Sequence, residues 1–337
     1  MKDISRKKFL RTAGAVVAGG ALAGVSGSLM LRKTGAPGLS PSGNAYSPAE
    51  AAFASPYIRV SSFSVREDIQ AFDQYDGKLY VAVANAVLAF DYYGKPLHRF
   101  PAGEVIRDMA INEEGIYLLY PSGIEVYTRE GALLRRWDAC SEWSNYCSLA
   151  LSPSGVFVTD MAHKNLCKYT NEGVFQKFIT SPDTFIIPSL SFGITYANGY
   201  VYCSNSGRHQ VERYTIDGEY AGSFGSPGGA PGLFAGCCNP VHLTASGSEI
   251  FTSEKGIPRI SCYGSDGTFR SILLNSSLLG GGHAAYHLKV REDRLFVAGK
   301  DRVSMFRYDN RQTQASACGG CDVVCPLRNA NIHASYY

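Results

Sequence analysis

The five residues Y-T-R-E-G at positions 127–131 belong to a turn motif that recurs along the chain and decides its fold. In this motif an aromatic residue is followed, three or four positions later, by an acid-Gly or Tyr-Gly pair that is typical of a tight turn. The other copies are F-D-Y-Y-G at Phe90, Y-T-N-E-G at Tyr169, Y-T-I-D-G at Tyr214, Y-G-S-D-G at Tyr263 and a turnless F-R-Y-D-N around Tyr308. The aromatic residues lie 37 to 49 residues apart, a period typical of four-stranded propeller blades. The sequence therefore predicts an all-β protein, a six-bladed β-propeller.

Each predicted blade contains alternating apolar runs separated by Gly or Asp turns, which is the signal of antiparallel hairpins. The four strands of the fourth blade are predicted at residues 192–196, 200–204, 210–214 and 220–224. The other blades are predicted at residues 69–100, 105–137, 148–179, 240–273 and 286–308. We expect the whole propeller to occupy residues 52–310.

The last blade lacks a fourth strand of its own, because the sixth copy of the motif stops after its third strand. The run I-R-V-S-S-F-S-V at residues 58–65 is unassigned ahead of the first blade. An open ring would expose a bare strand edge, so we expect this N-terminal strand to close the last blade. A ring of seven blades is the alternative.

The first 33 residues are predicted to be an export signal. The run S-R-K-K-F-L-R at residues 5–11 resembles the twin-arginine signal, with Lys7 where the second arginine is usual, and a Gly/Ala-rich apolar stretch follows. A membrane-anchor helix is the alternative reading. Residues 34–51 are rich in Gly, Pro, Ser and Ala and are predicted to be a flexible linker. The resemblance implies a periplasmic or otherwise extracytoplasmic protein that touches the membrane only through this N-terminal segment.

The overall charge of +3 comes from the N-terminal segment. Residues 1–33 contain seven basic residues and one acidic residue, which leaves 25 basic and 28 acidic residues in the rest of the chain. The rest of the chain is therefore weakly acidic and has no basic block that could neutralise phosphates. We expect no nucleic-acid partner.

A stretch that spans the fourth and fifth blades supports a family resemblance. The run G-S-F-G-S-P-G-G-A-P-G-L-F-A-G-C-C-N-P-V-H-L at residues 222–243, with the strand that follows, resembles the NHL repeat. The places of that repeat's usual phrase are filled by Gly225, Phe234, Pro240, Arg259, Ile260, Asp266 and Gly267. The departures are Cys237 and Cys238 before the proline, and Ser253-Glu254-Lys255 where an Asp-Asn pair is usual. The resemblance covers roughly half of the chain and implies an NHL-like propeller fold more firmly than an activity.

Several chemically active residues are predicted to share one face of the propeller, because strand direction alternates within a blade. The links between blades contain Cys140, Cys147, Cys237, Cys238 and His283, and the loops between second and third strands contain His163, Arg208, His209, Glu254 and Lys255. Donors of this kind near a central channel could form a soft-metal site. The candidate ligands are Cys237, Cys238, His209, His283 and Glu254. The alternatives are a catalytic thiol, or disulfides that join Cys237 to Cys238 or Cys140 to Cys147.

The C-terminal tail, residues 311–337, contains a second cysteine motif. In A-C-G-G-C-D-V-V-C-P, Cys318, Cys321 and Cys325 occupy the last three cysteine positions of the bacterial ferredoxin run, with Ala315 where the first cysteine belongs. The pattern predicts a [4Fe-4S] cluster bound by these three thiolates, with Cys262 or His333 as the fourth ligand. A zinc site and a tail without metal are the alternatives.

Two main functions follow from these patterns. The first is an exported NHL-like binding or scaffold protein for a protein partner, such as a redox protein, or for a small ligand, with its tail cluster in extracytoplasmic electron transfer. The alternative is a metal-dependent lyase or hydrolase with its site on the loop face, as related six-bladed propellers can be. The chain has no G-x-S-x-G, P-loop or H-E-x-x-H motif, which favours the non-enzymatic function. A recognition domain with structural cysteines is a third reading.

Overall fold

The computed structural model describes residues 55–103, 105–283 and 285–309, which form six four-stranded antiparallel sheets. The first strands of neighbouring sheets contact each other all the way round, including the contact between the sixth sheet and the first. The sheets are therefore the blades of a closed ring around a central channel. The predicted all-β, six-bladed propeller is confirmed.

The strands follow the chain from the inside of each blade to its outer edge. The N-terminal strand is β1 (Tyr57–Ser64), and blade 1 contains β2 (Ala71–Tyr75), β3 (Lys78–Val83), β4 (Ala86–Asp91) and β5 (Pro96–Pro101). Blades 2 and 3 contain β6 (Asp108–Ile111), β7 (Ile116–Tyr120), β8 (Gly123–Tyr127), β9 (Leu133–Asp138), β10 (Tyr146–Ser152), β11 (Gly155–Asp160), β12 (Asn165–Tyr169) and β13 (Phe175–Ile179). Blades 4 and 5 contain β14 (Ile194–Ala197), β15 (Tyr200–Asn205), β16 (Gln210–Thr215), β17 (Tyr220–Phe224), β18 (His242–Ser246), β19 (Glu249–Glu254), β20 (Arg259–Gly264) and β21 (Phe269–Leu274). Blade 6 contains β22 (His287–Arg291), β23 (Arg294–Ala298) and β24 (Arg302–Tyr308).

The N-terminal strand closes the ring as predicted. β1 pairs antiparallel with β24, with Tyr57 opposite Tyr308 and Phe63 opposite Val303, so the sixth sheet has the order β1-β24-β23-β22. This pairing satisfies the backbone edge that the last blade would otherwise expose. The described residues contain no seventh sheet, so the alternative of seven blades is wrong.

In blades 1 to 5 the turn motif packs the blade against the blade before it in the ring. Its glycines (Gly94, Gly131, Gly173, Gly218 and Gly267) have φ between +84° and +98°, a region that favours glycine. Each also lies against the outer part of the previous blade, where a Cβ would overlap an apolar side chain. Gly131 touches Phe100 and Gly173 touches Trp137, for example. The motif that revealed the repeat therefore also packs the blades together.

The apolar core is divided among the six interfaces between blades. Each interface contains one cluster of buried residues drawn from both neighbours. In the interface of blades 2 and 3, for example, Tyr117, Trp137 and Val158 belong to the same cluster. Aromatic side chains fill these wedge-shaped spaces because each buries a large apolar area.

Predicted and observed strands in blade 4 agree closely except at the start of the first strand. This strand begins at Ile194 and not at the predicted Phe192, because Ser189 and Leu190 take left-handed conformations and the Phe192 amide still donates to Leu190 within the link. The only α-helix of the described residues is α1 (Ser276–Leu279), capped by the Asn275 side chain. In that same part of the chain, no helix is long and apolar enough to cross a membrane.

Candidate functional site at the mouth of the central channel

The channel is lined by the first strands of the blades and carries several polar side chains. Its interior is a cavity of about 290 Å³ in which Lys289 Nζ lies 3.5 Å from Asp73 Oδ2. Burial raises the pKa of Asp73, and the Lys289 cation opposes that rise. Asp108 Oδ2 accepts a hydrogen bond from the Leu149 amide, so this second carboxylate is held by the neighbouring blade. Within the channel, Asp73 is thus paired with a cation, and Asp108 is bonded to the backbone.

Two histidines face each other towards one end of this channel. The rings of His242 and His287, each at the start of a first strand, have centroids 4.0 Å apart. Burial lowers the pKa of both, and that of His287 falls to about 4. The pair is therefore neutral at neutral pH and presents uncharged donors and acceptors.

The mouth of the channel on the side of these histidines is a cavity of about 350 Å³. Residues of its wall come from the links that enter the first strands and from the beginnings of those strands, among them Arg107, Cys147, Ser189 and His242. Arg107 Nε has no hydrogen-bond partner among the described residues, and no carboxylate there forms an ion pair with this side chain. The mouth therefore combines a cation without an acidic partner with thiol and hydroxyl groups.

Cys237 and Cys238 lie in the link between blades 4 and 5, where Cys238 is hydrogen-bonded to Ser189 of this mouth. The Asn239 side chain fixes the link, because its amide nitrogen donates to the Ala235 and Lys255 carbonyls and its oxygen accepts from the Lys255 amide at 2.9 Å. His209 Nε2 donates to the Gly236 carbonyl on the other side of the pair. Four hydrogen bonds thus hold the short segment in place.

The two thiols form a close pair with different environments. Their sulfur atoms are 3.1 Å apart, Cys237 is exposed, and Cys238 is only 3% exposed. Burial alone would raise the pKa of Cys238, but hydrogen bonds from Cys237 and Lys255, together with the Lys255 charge, outweigh it and lower the pKa. The hydrogen bond with Cys238 raises the pKa of Cys237. Of the two, Cys238 is therefore the thiol that ionises first.

The structure brings the predicted metal ligands to one region but does not converge them on one point. Glu254 is fully buried and forms an ion pair with Arg259 at 2.8 Å. His209 is bonded to Gly236, and His283 lies beside Gly256. Among the described residues, the only group of three or more Cys, His, Asp or Glu ligand atoms within 4.8 Å of one another is Cys140, Asp160 and Cys167.

That group includes two residues that the sequence analysis missed, Asp160 and Cys167. Cys140 Sγ lies 3.7 Å from Cys167 Sγ, whereas Cys147 is directed to the Asn145 carbonyl and to the core between blades 3 and 4. The suggested pairing of Cys140 with Cys147 is not formed, because the two side chains pack into different interfaces between blades. Alignment of the blades on their turn motifs would have shown Cys167 where blades 2 and 4 have glutamate.

The remaining predicted residues have plain structural positions or lie outside the described residues. His163 donates to Asp160, and Arg208 donates to the Asp183 and Thr184 carbonyls. Cys262 is 0% exposed in the core between blades 5 and 6. Cys318, Cys321 and Cys325, with His333 and the N-terminal signal, lie outside the described residues.

Comparison with solved structures shows the same architecture. The chain is similar to virginiamycin B lyase from Staphylococcus aureus (14% identity, 74% of this chain and 99% of that one, TM-score 0.53). It is also similar to a protein of unknown function from Bacteroides thetaiotaomicron (12% identity, 74% and 75%, TM-score 0.58) and to the Pan2 WD40 domain of Neurospora crassa (9% identity, 75% and 96%, TM-score 0.51). No protein-family model and no curated protein matches the chain. At these identities the similarity establishes the propeller fold alone.

Proposed function

We propose that this chain is an exported propeller scaffold for extracytoplasmic electron transfer, with a redox-active thiol pair at the mouth of its channel. The export signal, the NHL-like repeat and the cysteine-containing tail of the sequence support the proposal. The fold supports it as well, since propellers commonly mediate protein interactions. The single observation that carries the proposal is the pair Cys237 and Cys238, whose sulfurs are 3.1 Å apart beside Lys255.

The chemistry follows from the unequal environments of the two thiols. Thiol–disulfide exchange needs a thiolate to attack and a nearby second thiol to resolve the mixed disulfide. Cys238 supplies the thiolate because Lys255 lowers its pKa, and the exposed Cys237 supplies the resolving thiol. Reactive cysteines typically have electropositive and partly exposed surroundings. In this pair Lys255 supplies the positive charge at Cys238, and Cys237 supplies the exposure.

The reaction partner is a protein disulfide. The Cys238 thiolate attacks one sulfur of that disulfide, whose S–S bond breaks and releases a partner thiolate. The Cys237 thiol then loses its proton and attacks Cys238 Sγ, which releases the second partner thiolate and joins Cys237 to Cys238. Two electrons pass to the partner, whose thiolates take up two protons. A bridge between adjacent cysteines is strained and therefore remains easy to reduce.

Reaction with oxidised glutathione tests this division of labour. We expect the wild-type chain to form the Cys237–Cys238 disulfide, Cys237→Ser to accumulate a glutathione adduct on Cys238, and Cys238→Ser to lose the fast reaction. Peptide mass spectrometry at timed intervals measures each product. Cys147→Ser is the matched control, because Cys147 lines the same mouth but burial raises its pKa to about 12. The proposal is wrong if Cys238→Ser reacts as fast as the wild type.

The tail cluster is the second part of the proposal. Cys318, Cys321 and Cys325 have the ferredoxin spacing, so we propose that they bind a [4Fe-4S] cluster that exchanges electrons with a redox partner. The three thiolates leave one iron for another ligand or for solvent. Nothing in the channel-mouth chemistry depends on this cluster, so the two parts stand separately.

Iron and sulfide analysis of anaerobically purified full-length protein tests the tail. We expect a brown protein with four irons and four sulfides per chain, as a cubane cluster contains, and loss of both in Cys321→Ser. Cys203→Ser serves as the control, because that thiol is fully buried in the propeller. Colourless, iron-free wild-type protein from an anaerobic preparation would remove the cluster and leave the thiol pair untouched.

A further inference from the structure

We infer that blade 3 contains a zinc site formed by Cys140, Asp160 and Cys167. Cys140 lies in the link between blades 2 and 3, and Cys167 lies in β12. The carboxylate stands at the end of β11. This site is separate from the channel-mouth thiol pair and does not depend on the function proposed for it.

The two cysteines of blade 3 occupy positions whose equivalents in blade 4 also contact each other. At the start of blade 4, Ser181 donates a hydrogen bond to Glu212 at 3.0 Å. Ser181 lies two residues after the last strand of the previous blade, and Glu212 lies two residues before the motif tyrosine. Cys140 and Cys167 occupy the same two positions in blade 3. A hydroxyl–carboxylate hydrogen bond is thus replaced at both ends by thiols.

The replacement removes a hydrogen bond of the repeat. In blades 2 and 4 the motif tyrosine donates to the glutamate two positions earlier, Tyr127 to Glu125 at 2.6 Å and Tyr214 to Glu212 at 2.5 Å. In blade 3 the hydroxyl of Tyr169 instead bonds with that of Tyr146. The local tyrosine network is therefore rearranged around the two sulfurs.

The distances between the ligand atoms match a tetrahedral zinc ion. Two thiolates bound at about 2.3 Å to tetrahedral zinc lie about 3.8 Å apart. Cys140 Sγ and Cys167 Sγ are 3.7 Å apart, and a carboxylate oxygen of Asp160 lies within 4.8 Å of both. The sulfurs of Cys237 and Cys238, at 3.1 Å, are too close for that geometry.

Asp160 is fixed in position by the surrounding backbone and by one histidine. Its Oδ1 atom accepts from the Asn145 and Ala162 amides at 3.0 Å each, and its Oδ2 atom accepts from His163 Nδ1 at 2.9 Å. Metal-binding carboxylates are themselves commonly held by hydrogen bonds from outer-shell groups. The Oδ2 atom still has a lone pair for a metal ion.

The loop that holds Asp160 in place also contains an unsatisfied polar atom. Asn145 Oδ1 is buried and has no hydrogen-bond partner among the described residues, although the Asn145 amide is bonded to Asp160. A buried acceptor without a partner costs free energy unless water or an ion satisfies it.

Binding is balanced in protons and needs no electron transfer. A divalent zinc ion displaces the protons of the two thiols and binds the carboxylate, which is already ionised, so two protons leave for each ion bound. Three ligands leave one tetrahedral position for water. The ion would tie the link between blades 2 and 3 to β11 and β12.

Zinc analysis of the full-length protein, purified without chelator, tests the site. We expect Cys140→Ser and Cys167→Ser each to lose one zinc per chain relative to the wild type, and Cys321→Ser to keep it. Asp160→Asn should weaken zinc binding about ten-fold or more in a competition titration. Removal of zinc by a chelator should lower the Tm of the wild type, and added zinc should restore it.

Two results would overturn the inference. One is an unchanged zinc content in Cys140→Ser. Cys140 is partly exposed in a loop, so this variant should fold, and circular dichroism can verify that it does. The other is a wild-type peptide map in which Cys140 and Cys167 are joined with the loss of two hydrogens, which would assign the pair as a disulfide. The Tm response to zinc in the wild type decides the question even if a cysteine variant does not fold.

Discussion

Lys255 contributes to the difference in pKa between the adjacent Cys237 and Cys238. Its backbone is locked to Asn239 by two hydrogen bonds, and its Nζ atom lies 3.5 Å from Ser191 Oγ. Burial alone would raise the pKa of Cys238, but the hydrogen bonds from Cys237 and Lys255, together with the Lys255 charge, lower it. The reactivity of the pair therefore depends in part on a side chain from the neighbouring loop.

Replacement of Lys255 by methionine should make Cys238 less reactive at neutral pH. Without the cation the thiolate loses part of its stabilisation, so the pKa of Cys238 rises. The pH at which Cys238 reacts half-maximally with iodoacetamide should therefore move upward. The control is Lys300→Met, at an exposed lysine paired only with Asp68. An unchanged pH profile in Lys255→Met would contradict this role.

Single residues also show where sequence reasoning fell short. Cys167 sits in a short apolar strand, N-L-C-K-Y, and reads there as an ordinary buried residue. Its contact with Cys140 crosses 27 residues and one link between blades, a distance that no local pattern predicts. Glu254 shows the opposite error. The sequence analysis placed this carboxylate in a loop as a candidate ligand, but it is buried and forms an ion pair with Arg259.

At the scale of the element, the turn motif packs one blade against another. Its glycine needs a left-handed backbone and an absent side chain at the same time. The first need is local and visible in the sequence as an acid-Gly pair. The second arises only because the previous blade places an apolar side chain against the turn.

Gly173→Ala should therefore destabilise the protein more than an ordinary turn substitution. The left-handed φ of +89° costs about 1–2 kcal/mol for alanine, and the overlap with Trp137 adds about 1–3 kcal/mol. Gly199→Ala is the matched control, with φ of +83° and no atom within 4 Å of its Cβ, and should cost about 1–2 kcal/mol. Urea denaturation of both variants measures the free energy of unfolding. Equal losses would show that the contact between blades contributes nothing.

For the whole molecule, stability depends on a strand that comes from the opposite end of the chain. β1 covers the edge of β24, and its Tyr57 is 3% exposed in the core of blades 5 and 6. Closure therefore links the first described strand to the last one. Loss of that link would leave both an open ring and a bare edge.

Deletion of residues 1–64 should lower the Tm by roughly 10 °C or more, because it removes buried apolar groups and one row of strand pairing. Size-exclusion chromatography should also show association through the exposed β24 edge. Deletion of residues 1–54 keeps β1 and is the control, with an expected Tm close to that of the full-length chain. A stable monomer after the longer deletion would show that the ring closes without β1.

The sequence by itself determined the number of blades, their order and the closure by the N-terminal strand. These features follow from a repeat whose turns, alternation and spacing are local properties of the chain. Only the tertiary structure decided which cysteines meet. It placed Cys140 beside Cys167 and left the predicted ligands His209, His283 and Glu254 apart, because these contacts depend on how links and loops from different blades fold over the channel mouth. A period fixes where strands lie, and side-chain chemistry depends on neighbours that the period does not specify.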